Sequence, residues 1–564
     1  MRFTPLERLA LYGLTITLGL STLGLLVSLN ERITTDVPAH GGTIVEGETV
    51  PARFVNPVIA VSQADLDISA LVYSGLVRAQ SDGTFVPDLA DHLTISPDGM
   101  VYTFSIRENA TFHDGTPVTA ADVLFTIALA QNPDIKSPRR ADWEGVSVSS
   151  PDERTVVFTL PHAYAPFMEN ATLGVLPKHL WNSVSPDQFS FNALNTHPVG
   201  SGPFKVDSTK TDATGAATRF DLAPFKQFAL GEPYLSRISF AFFPSDDAML
   251  KAFEAHQIDA IAGISPADLV SLSVSTHLVE APLPRVFGVF FNENKNPALA
   301  DLAARTALSE SVDRNTIVTN VLARFGVPLD GPIPPGVIGA SAPATPNFFQ
   351  PDATSTAVAD PLLVSKAKAT LQKGGWDFDE ASATWSKKKV PLSIRLATVD
   401  SPELVATAQT IASQWRAVGV QVSVQVYALS EFNNTVLRPR EYEAILFGEV
   451  VGRDADLFAF WHSSQRNDPG LNLALYTNSK ADTLLAQARA TTEKAKRDEL
   501  YAKFADLVQA DVPAVFLYSP EFLYILPGEL QGVRVGALTT PAERFLEAYR
   551  WYTETQRVWE FFAR

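Results

Sequence analysis

The sequence predicts an α/β protein with more than one sheet and two or more domains, preceded by one apolar segment long enough to span a bilayer. Three observations carry this. The chain has 564 residues, of which 46% are hydrophobic, too long for one compact core and ample to fill several. Stretches of alternating apolar residues take turns along it with stretches of helical period. Residues 9–29 form a run of 21 positions without a charge, which as a helix reaches about 31 Å, close to the hydrocarbon thickness of a membrane.

Taken in order, Arg2 and Arg8 precede the apolar run, and Glu31 and Arg32 follow it. The positive-inside tendency puts the N-terminus in the cytoplasm and the body outside. Ser28-Leu29-Asn30 is a poor cleavage site, which favours an uncleaved anchor over a cleaved signal, the alternative that stays open. Residues 34–42 read as a short polar linker. Met100-Val101-Tyr102-Thr103-Phe104-Ser105-Ile106, after the turn Ser96-Pro97-Asp98-Gly99, reads as a strand. So do residues 154–160, after Ser150-Pro151-Asp152-Glu153, and residues 420–426. Thr119-Ala120-Ala121-Asp122 opens a helix with a threonine cap and an acidic residue in the first turn. Residues 402–418 and 479–511 read as amphipathic helices. Residues 341–360, rich in Pro, Ala, Thr and Ser, read as a surface insertion.

Composition narrows the function. The formal charge of −17 repels phosphate backbones, so nucleic acid is not an expected partner. With no cysteine there is no disulfide, thiolate metal site, cysteine nucleophile or lipidated N-terminal cysteine. There is no Gly-x-Ser-x-Gly elbow, His-Glu-x-x-His or phosphate-binding Gly-x-x-x-x-Gly-Lys loop, and the nine histidines are scattered. Neither an enzyme nor a resident metal or cofactor is expected.

One ordered series is more specific. Val72-Tyr73-Ser74-Gly75-Leu76-Val77 leads to Asp82-Gly83 and Val86-Pro87-Asp88-Leu89-Ala90. Ile95-Ser96-Pro97-Asp98-Gly99 and Phe112-His113-Asp114-Gly115-Thr116-Pro117-Val118 follow. Pro198-Val199-Gly200-Ser201-Gly202-Pro203-Phe204, Phe291-Asn292, Val312-Asp313-Arg314, Gly331-Pro332-Ile333-Pro334-Pro335 and Val512-Pro513-Ala514-Val515 continue it. The series resembles the family 5 extracellular solute-binding proteins, the peptide-, dipeptide- and nickel-binding components of bacterial ABC importers. Most of these motifs read as turns; Phe112-His113-Asp114-Gly115 reads as a buttressed turn rather than a site.

The resemblance implies a two-lobe periplasmic-binding-protein type II fold with an extra subdomain in the first lobe. Its expected parts are residues 1–33 (anchor), 34–60 (linker and start of lobe I), 61–190 (extra subdomain), 191–285 (lobe I), 286–511 (lobe II) and 512–564 (return to lobe I and a terminal helix). It also implies a peptide ligand enclosed by lobe closure, delivery to ABC permease subunits, a monomeric state and an extracytoplasmic body held at the cell membrane. The alternatives are another solute in the same fold (a nickel chelate, oligosaccharide, opine or heme) or a ligand sensor.

In the family's peptide binders an acidic residue of the second lobe pairs with the ligand's α-ammonium, near an Asp-Pro-x-x-Phe stretch. Here Asp454-Ala455-Asp456-Leu457-Phe458 takes that place, with Ala455 where proline is usual. Asp454 and Asp456 are the expected contacts, with helix capping by Asp454 as the alternative. Tyr73, Phe54 and Trp461 are candidate aromatic walls, with core positions as their alternative. Asn292 is a candidate polar contact or a structural turn. Arg453 could balance a carboxylate or pair with its acidic neighbours.

Overall fold

The computed structural model describes residues 4–274, 277–337, 359–453, 455–559 and 561. Most of the insertion expected at 341–360 therefore lies outside the described residues, as does Asp454. The helix α1 (Pro5–Ile33) contains a span, Pro5–Leu25, that is apolar enough to cross a membrane and packs against no part of the body. It passes directly into strand β1 (Thr34–Ala39). The expected linker is thus partly a strand. Its partner is Glu554–Trp559, with Thr34 opposite Trp559 and Ala39 opposite Glu554. Strand pairing also replaces the terminal helix expected near the C-terminus: no α-helix follows residue 526 among the described residues. Residues 554–559 carry threonine, valine and tryptophan, which favour extended backbone.

Two bodies follow, joined through one long strand, Ala514–Leu526. Its first part pairs with Arg285–Phe291, whose other edge carries Ala444–Val450, then Ser393–Val399 and Gln421–Tyr427. Its last part pairs with His277–Pro282 and Ala260–Ala262. Beyond these lie β2 (Thr43–Glu48), Arg237–Phe242, Ala217–Pro224 and Phe204–Thr211. Ala514 to Tyr518 enter the core of the second body, while Phe522, Tyr524 and Leu526 enter that of the first. Both faces are buried along most of its length, which explains its near-continuous apolar run. The chain crosses between bodies at 282–285 and 518–521, side by side. Ser519 Oγ donates to Leu283 O at 2.8 Å across the pair. Residues 512–518, expected to belong to the return, still pair within the second body.

The first body contains α2 (Gln63–Val72), capped by Ser62, and a four-stranded antiparallel sheet drawn from Ala90–Ile95, Val101–Ile106, Thr155–Thr159 and Ser147–Ser149. The helix Ala120–Gln131 starts where Thr119 and Asp122 indicate: Asp122 Oδ2 accepts from Thr119 N at 2.9 Å. The motif glycines have a steric role. A Cβ on Gly200 would stand 2.0 Å from Val72 O, and one on Gly202 would stand 2.5 Å from Leu71 O. The segment therefore lies flat against the end of α2, as only glycine permits. His113 clasps it from the other side. Its main-chain N–H donates to Gly200 O at 2.8 Å, and its ring lies 3.1 Å from Gly202 O and 3.3 Å from Gly200 N. Burial holds the imidazole neutral, its pKa pushed down to about 4.

The segment after the long strand is fixed by one guanidinium. Arg544 is 1% exposed. Its Nη1 donates to Asp67 Oδ1 at 2.9 Å and its Nη2 to Asp67 Oδ2 at 2.5 Å; Nη2 also meets Glu46 and lies 3.8 Å from Glu48. Tyr524 OH donates to Glu46 Oε2 at 2.8 Å, and Gln63 Nε2 donates to Asp67 Oδ1 at 2.6 Å. The three carboxylates lie close enough to share a cation, and the guanidinium sits among them. Burial, then the Asp67 charge, pushes Glu48 up to about 10, so it is protonated at neutral pH.

Two outcomes follow. His113 takes up its proton at about 4 in the folded protein and at about 6.5 in the unfolded chain. Folding therefore loses stability as pH falls through that window, by up to about 3 kcal/mol. Calorimetry of His113→Asn should show a shallower decline between these pH values than the parent shows. Arg544→Met leaves buried carboxylates without their cation, and chemical denaturation should register a loss of about 3–5 kcal/mol.

Candidate functional site

A cavity of about 410 Å³ lies between the two bodies. The first body supplies α2 with Tyr73 at its end, the strand Val77–Ala79, and the stretch 164–174 with Tyr164 and Glu169. The second supplies residues 450–453, 455, 456, 459 and 460; Thr539, Thr540 and Glu543 close the wall. The lining mixes apolar surface with a few converging charges, as small-ligand sites do.

Asp456 is the most informative of these. Its Oδ2 accepts from Arg489 Nη2 at 2.6 Å and Nε at 3.1 Å, and lies 3.4 Å from the hydroxyl of Tyr164 in the opposite body. Its Oδ1 is buried without a side-chain partner among the described residues, and the main-chain N–H of Phe458 faces the carboxylate. Burial raises its pKa, and the Arg489 charge opposes that rise. Arg489 is sandwiched between the Phe458 ring at 4.3 Å and the Tyr164 ring at 5.2 Å, which fixes where it holds the carboxylate.

The loop that aims Asp456 is backbone-strained. Gly452 has φ 76° and Ala455 has φ 47°. Proline, locked near −65°, could not take the conformation of Ala455. The backbone at Ala455 therefore excludes the proline that the resemblance leads one to expect there.

Arg453 reaches across the cleft. Its Nη2 meets Glu543 Oε2 at 2.5 Å and its Nη1 meets Glu169 Oε2 at 3.3 Å. Nη2 also lies 3.3 Å from Ala537 O, and its backbone N–H donates to Thr539 Oγ1 at 3.1 Å. Its side chain is 6% exposed. Burial raises the pKa of Glu543 against the pull of this arginine. This ion pair joins the bodies through carboxylates that lie far along the chain from Arg453, which is why neighbouring acids were the expected partners from sequence.

Of the other candidates, Tyr73 lines the cavity with its hydroxyl 3.4 Å from Val55 O, and burial raises its pKa. Phe54, Asn292 and Trp461 do not line it. Phe54 is half-buried against the first core, where its N–H donates to Asp65 Oδ1 at 2.7 Å. Asn292 is a buried turn residue: Nδ2 donates to Arg440 O at 3.1 Å and Oδ1 accepts from Asn294 N at 3.1 Å. Trp461 packs in the second core against Phe290, Tyr476, Phe504 and Phe516. It ends a one-turn helix, Phe458–Trp461, whose Ala459 and Phe460 face the cavity instead. Tyr164, Glu169, Arg489 and Glu543 were not expected. Tyr164 sits in a loop between Pro161 and Pro166, and an aromatic in a loop is a signal that could have marked it. Glu543 carries a Thr540-x-x-Glu543 pattern that reads as a helix cap.

Residues 84–483 match the model of the bacterial extracellular solute-binding proteins, family 5 Middle. The chain belongs to this family. Across 506 residues this family 5 protein is 26% identical to the oligopeptide-binding protein AppA of Bacillus subtilis, covering 88% of this chain and 90% of AppA. It is 27% identical to the probable D,D-dipeptide-binding periplasmic protein DdpA of Escherichia coli over 516 residues, 87% of this chain and 90% of DdpA. The structure of AppA in complex with a nonapeptide shares the fold, with TM-score 0.68 and 24% identity over 92% of this chain and 99% of AppA. The substrate-binding protein CtaP of Listeria monocytogenes superimposes with TM-score 0.74 and 25% identity, over 91% of this chain and 100% of CtaP.

Arg453→Ala removes the link from both Glu169 and Glu543. Each body keeps its own core, so small-angle scattering of the ligand-free ectodomain should report a larger radius of gyration than the parent.

Proposed function

We propose that this family 5 protein captures a short peptide outside the cell and delivers it to an ABC permease without altering it. The observation that carries the reading is the buried carboxylate of Asp456, whose Oδ1 lacks a side-chain donor, at the edge of a cavity enclosed by both bodies. A buried carboxylate oxygen short of donors is costly, and a ligand ammonium is the donor that suits it. Asp454, two residues earlier in the sequence, is the other candidate for this contact. Tyr73 and Phe460 offer apolar wall, and exposed backbone groups pair with the ligand's main chain as an added strand would. The cavity volume, about 410 Å³, lies toward the small end of the ~300–1,000 Å³ typical of ligand pockets, which favours a ligand of few residues.

The remaining steps belong to the same reading. The ligand selects the closed arrangement, in which Arg453 and Asp456 meet their partners in the first body. The protein works as a monomer, and α1 holds the body at the outer face of the membrane, within reach of the permease. The aliphatic exterior of the span Pro5–Leu25 supports an anchor.

Isothermal titration with a set of short peptides checks the central step. Asp456→Asn should weaken binding about 10- to 150-fold, the value of a charge-assisted hydrogen bond of ~1.5–3 kcal/mol. N-acetylated peptides should lose a similar factor on the parent protein. Equal affinity for acetylated and free peptides would count against the reading, as would a single sugar or chelate mass in native mass spectrometry of the purified ectodomain.

A further inference from the structure

The two-stranded ribbon of β1 and Glu554–Trp559 plays no part in the cleft, and its position is set by α1. The helix enters β1 without an intervening loop, and Thr34 faces Trp559. The charge-free run continues four residues past the span Pro5–Leu25 and ends at residue 29, so Thr34 stands five residues beyond its end, about 7.5 Å at ~1.5 Å per residue. The polar layer outside the hydrocarbon is about 5–7 Å deep on each side. If α1 spans the membrane, as proposed above, its last turn and Trp559 lie at the depth of the headgroups.

The residues there match that depth. Trp559 is 56% exposed, Phe561 84% and Ile33 41%. The strand Glu554–Trp559 is open to its surroundings along nearly all its length. A ribbon of two strands is marginal in water, and the exposed pair Arg557–Asp36, 3.5 Å apart, adds little to it. Tryptophan at the boundary between hydrocarbon and water buries its ring and keeps its N–H wet, which is why it gathers at membrane interfaces.

We propose that the ribbon rests on the outer surface of the phospholipid bilayer and that Trp559 and Phe561 insert into its headgroup layer. Trp559 and Phe561 then form a second membrane contact beside α1. Two contacts fix the tilt of the first body over the membrane, where a single flexible tether would leave it free.

The cysteine-free chain allows a direct test. Phe561→Cys and, in the second body, Ser382→Cys are each labelled with a thiol-reactive fluorophore on the full chain. The labelled proteins are then reconstituted in phosphatidylcholine–phosphatidylglycerol vesicles with a spin-label quencher at the top of the acyl chain. The label at 561 should lose fluorescence on adding quencher lipid, while the label at 382 stays unchanged. Equal responses at both positions, with the protein still floating with the vesicles, overturn the inference and leave the anchor intact. A label at 561 shielded from iodide yet indifferent to the lipid quencher overturns it too, in favour of a protein partner. Protein that no longer floats with the vesicles overturns both the anchor and this inference.

Discussion

The guanidinium of Arg544 is the constraint on which the cleft depends. It ties together the end of β2 through Glu46 and Glu48, the middle of α2 through Asp67, and, through the Tyr524–Glu46 bond, the long strand. β2 and α2 are consecutive in the chain, but Tyr524 and Arg544 lie 478 and 498 residues beyond Glu46. The arrangement is also exacting: burial raises the pKa of both Glu46 and Glu48, and the Arg544 charge opposes that rise. Glu543, the next residue, is thereby presented to Arg453, and Thr539 and Thr540 are set in the cavity wall. A purely structural network inside the first body thus decides what the second body meets across the cleft.

On the facing side, the same logic holds at smaller scale. Asp456 is positioned by Arg489, Arg489 is gripped by two rings, and one of those rings belongs to the other body. The candidate site is therefore built from groups whose partners are mostly already protein, with Asp456 Oδ1 short of a side-chain donor. Preorganised charge of this kind lets a small ligand bind without first breaking strong internal bonds.

Much of the fold was legible because local rules and tertiary packing agree there. Thr119 and Asp122 start a helix, Met100 to Ile106 alternate as a half-buried strand, and the motif series identifies the family. Asp456 was a candidate from sequence because its stretch carries a recognisable pattern even with Ala455 in place of proline. The failures share a cause. Trp461 looked like a wall because an aromatic in a short helix gives no sign of which way it turns. The strand pairing of 34–39 with 554–559 joins segments more than 500 residues apart, and neither alternates clearly enough to announce a strand. Arg453 was visible, but its partners Glu169 and Glu543 lie 284 and 90 residues away, beyond any local pattern.

The paired strands that cross between the bodies have a mechanical meaning. A ribbon two strands wide folds readily about an axis lying in its own plane and parallel to its hydrogen bonds. It strongly resists sliding of one strand along the other, because sliding would break the Ser519–Leu283 bond and the ladder on either side of it. Opening and shutting should thus follow a single arc, with little shear between the halves, so that Asp456 and Tyr164 return to the same separation on every cycle.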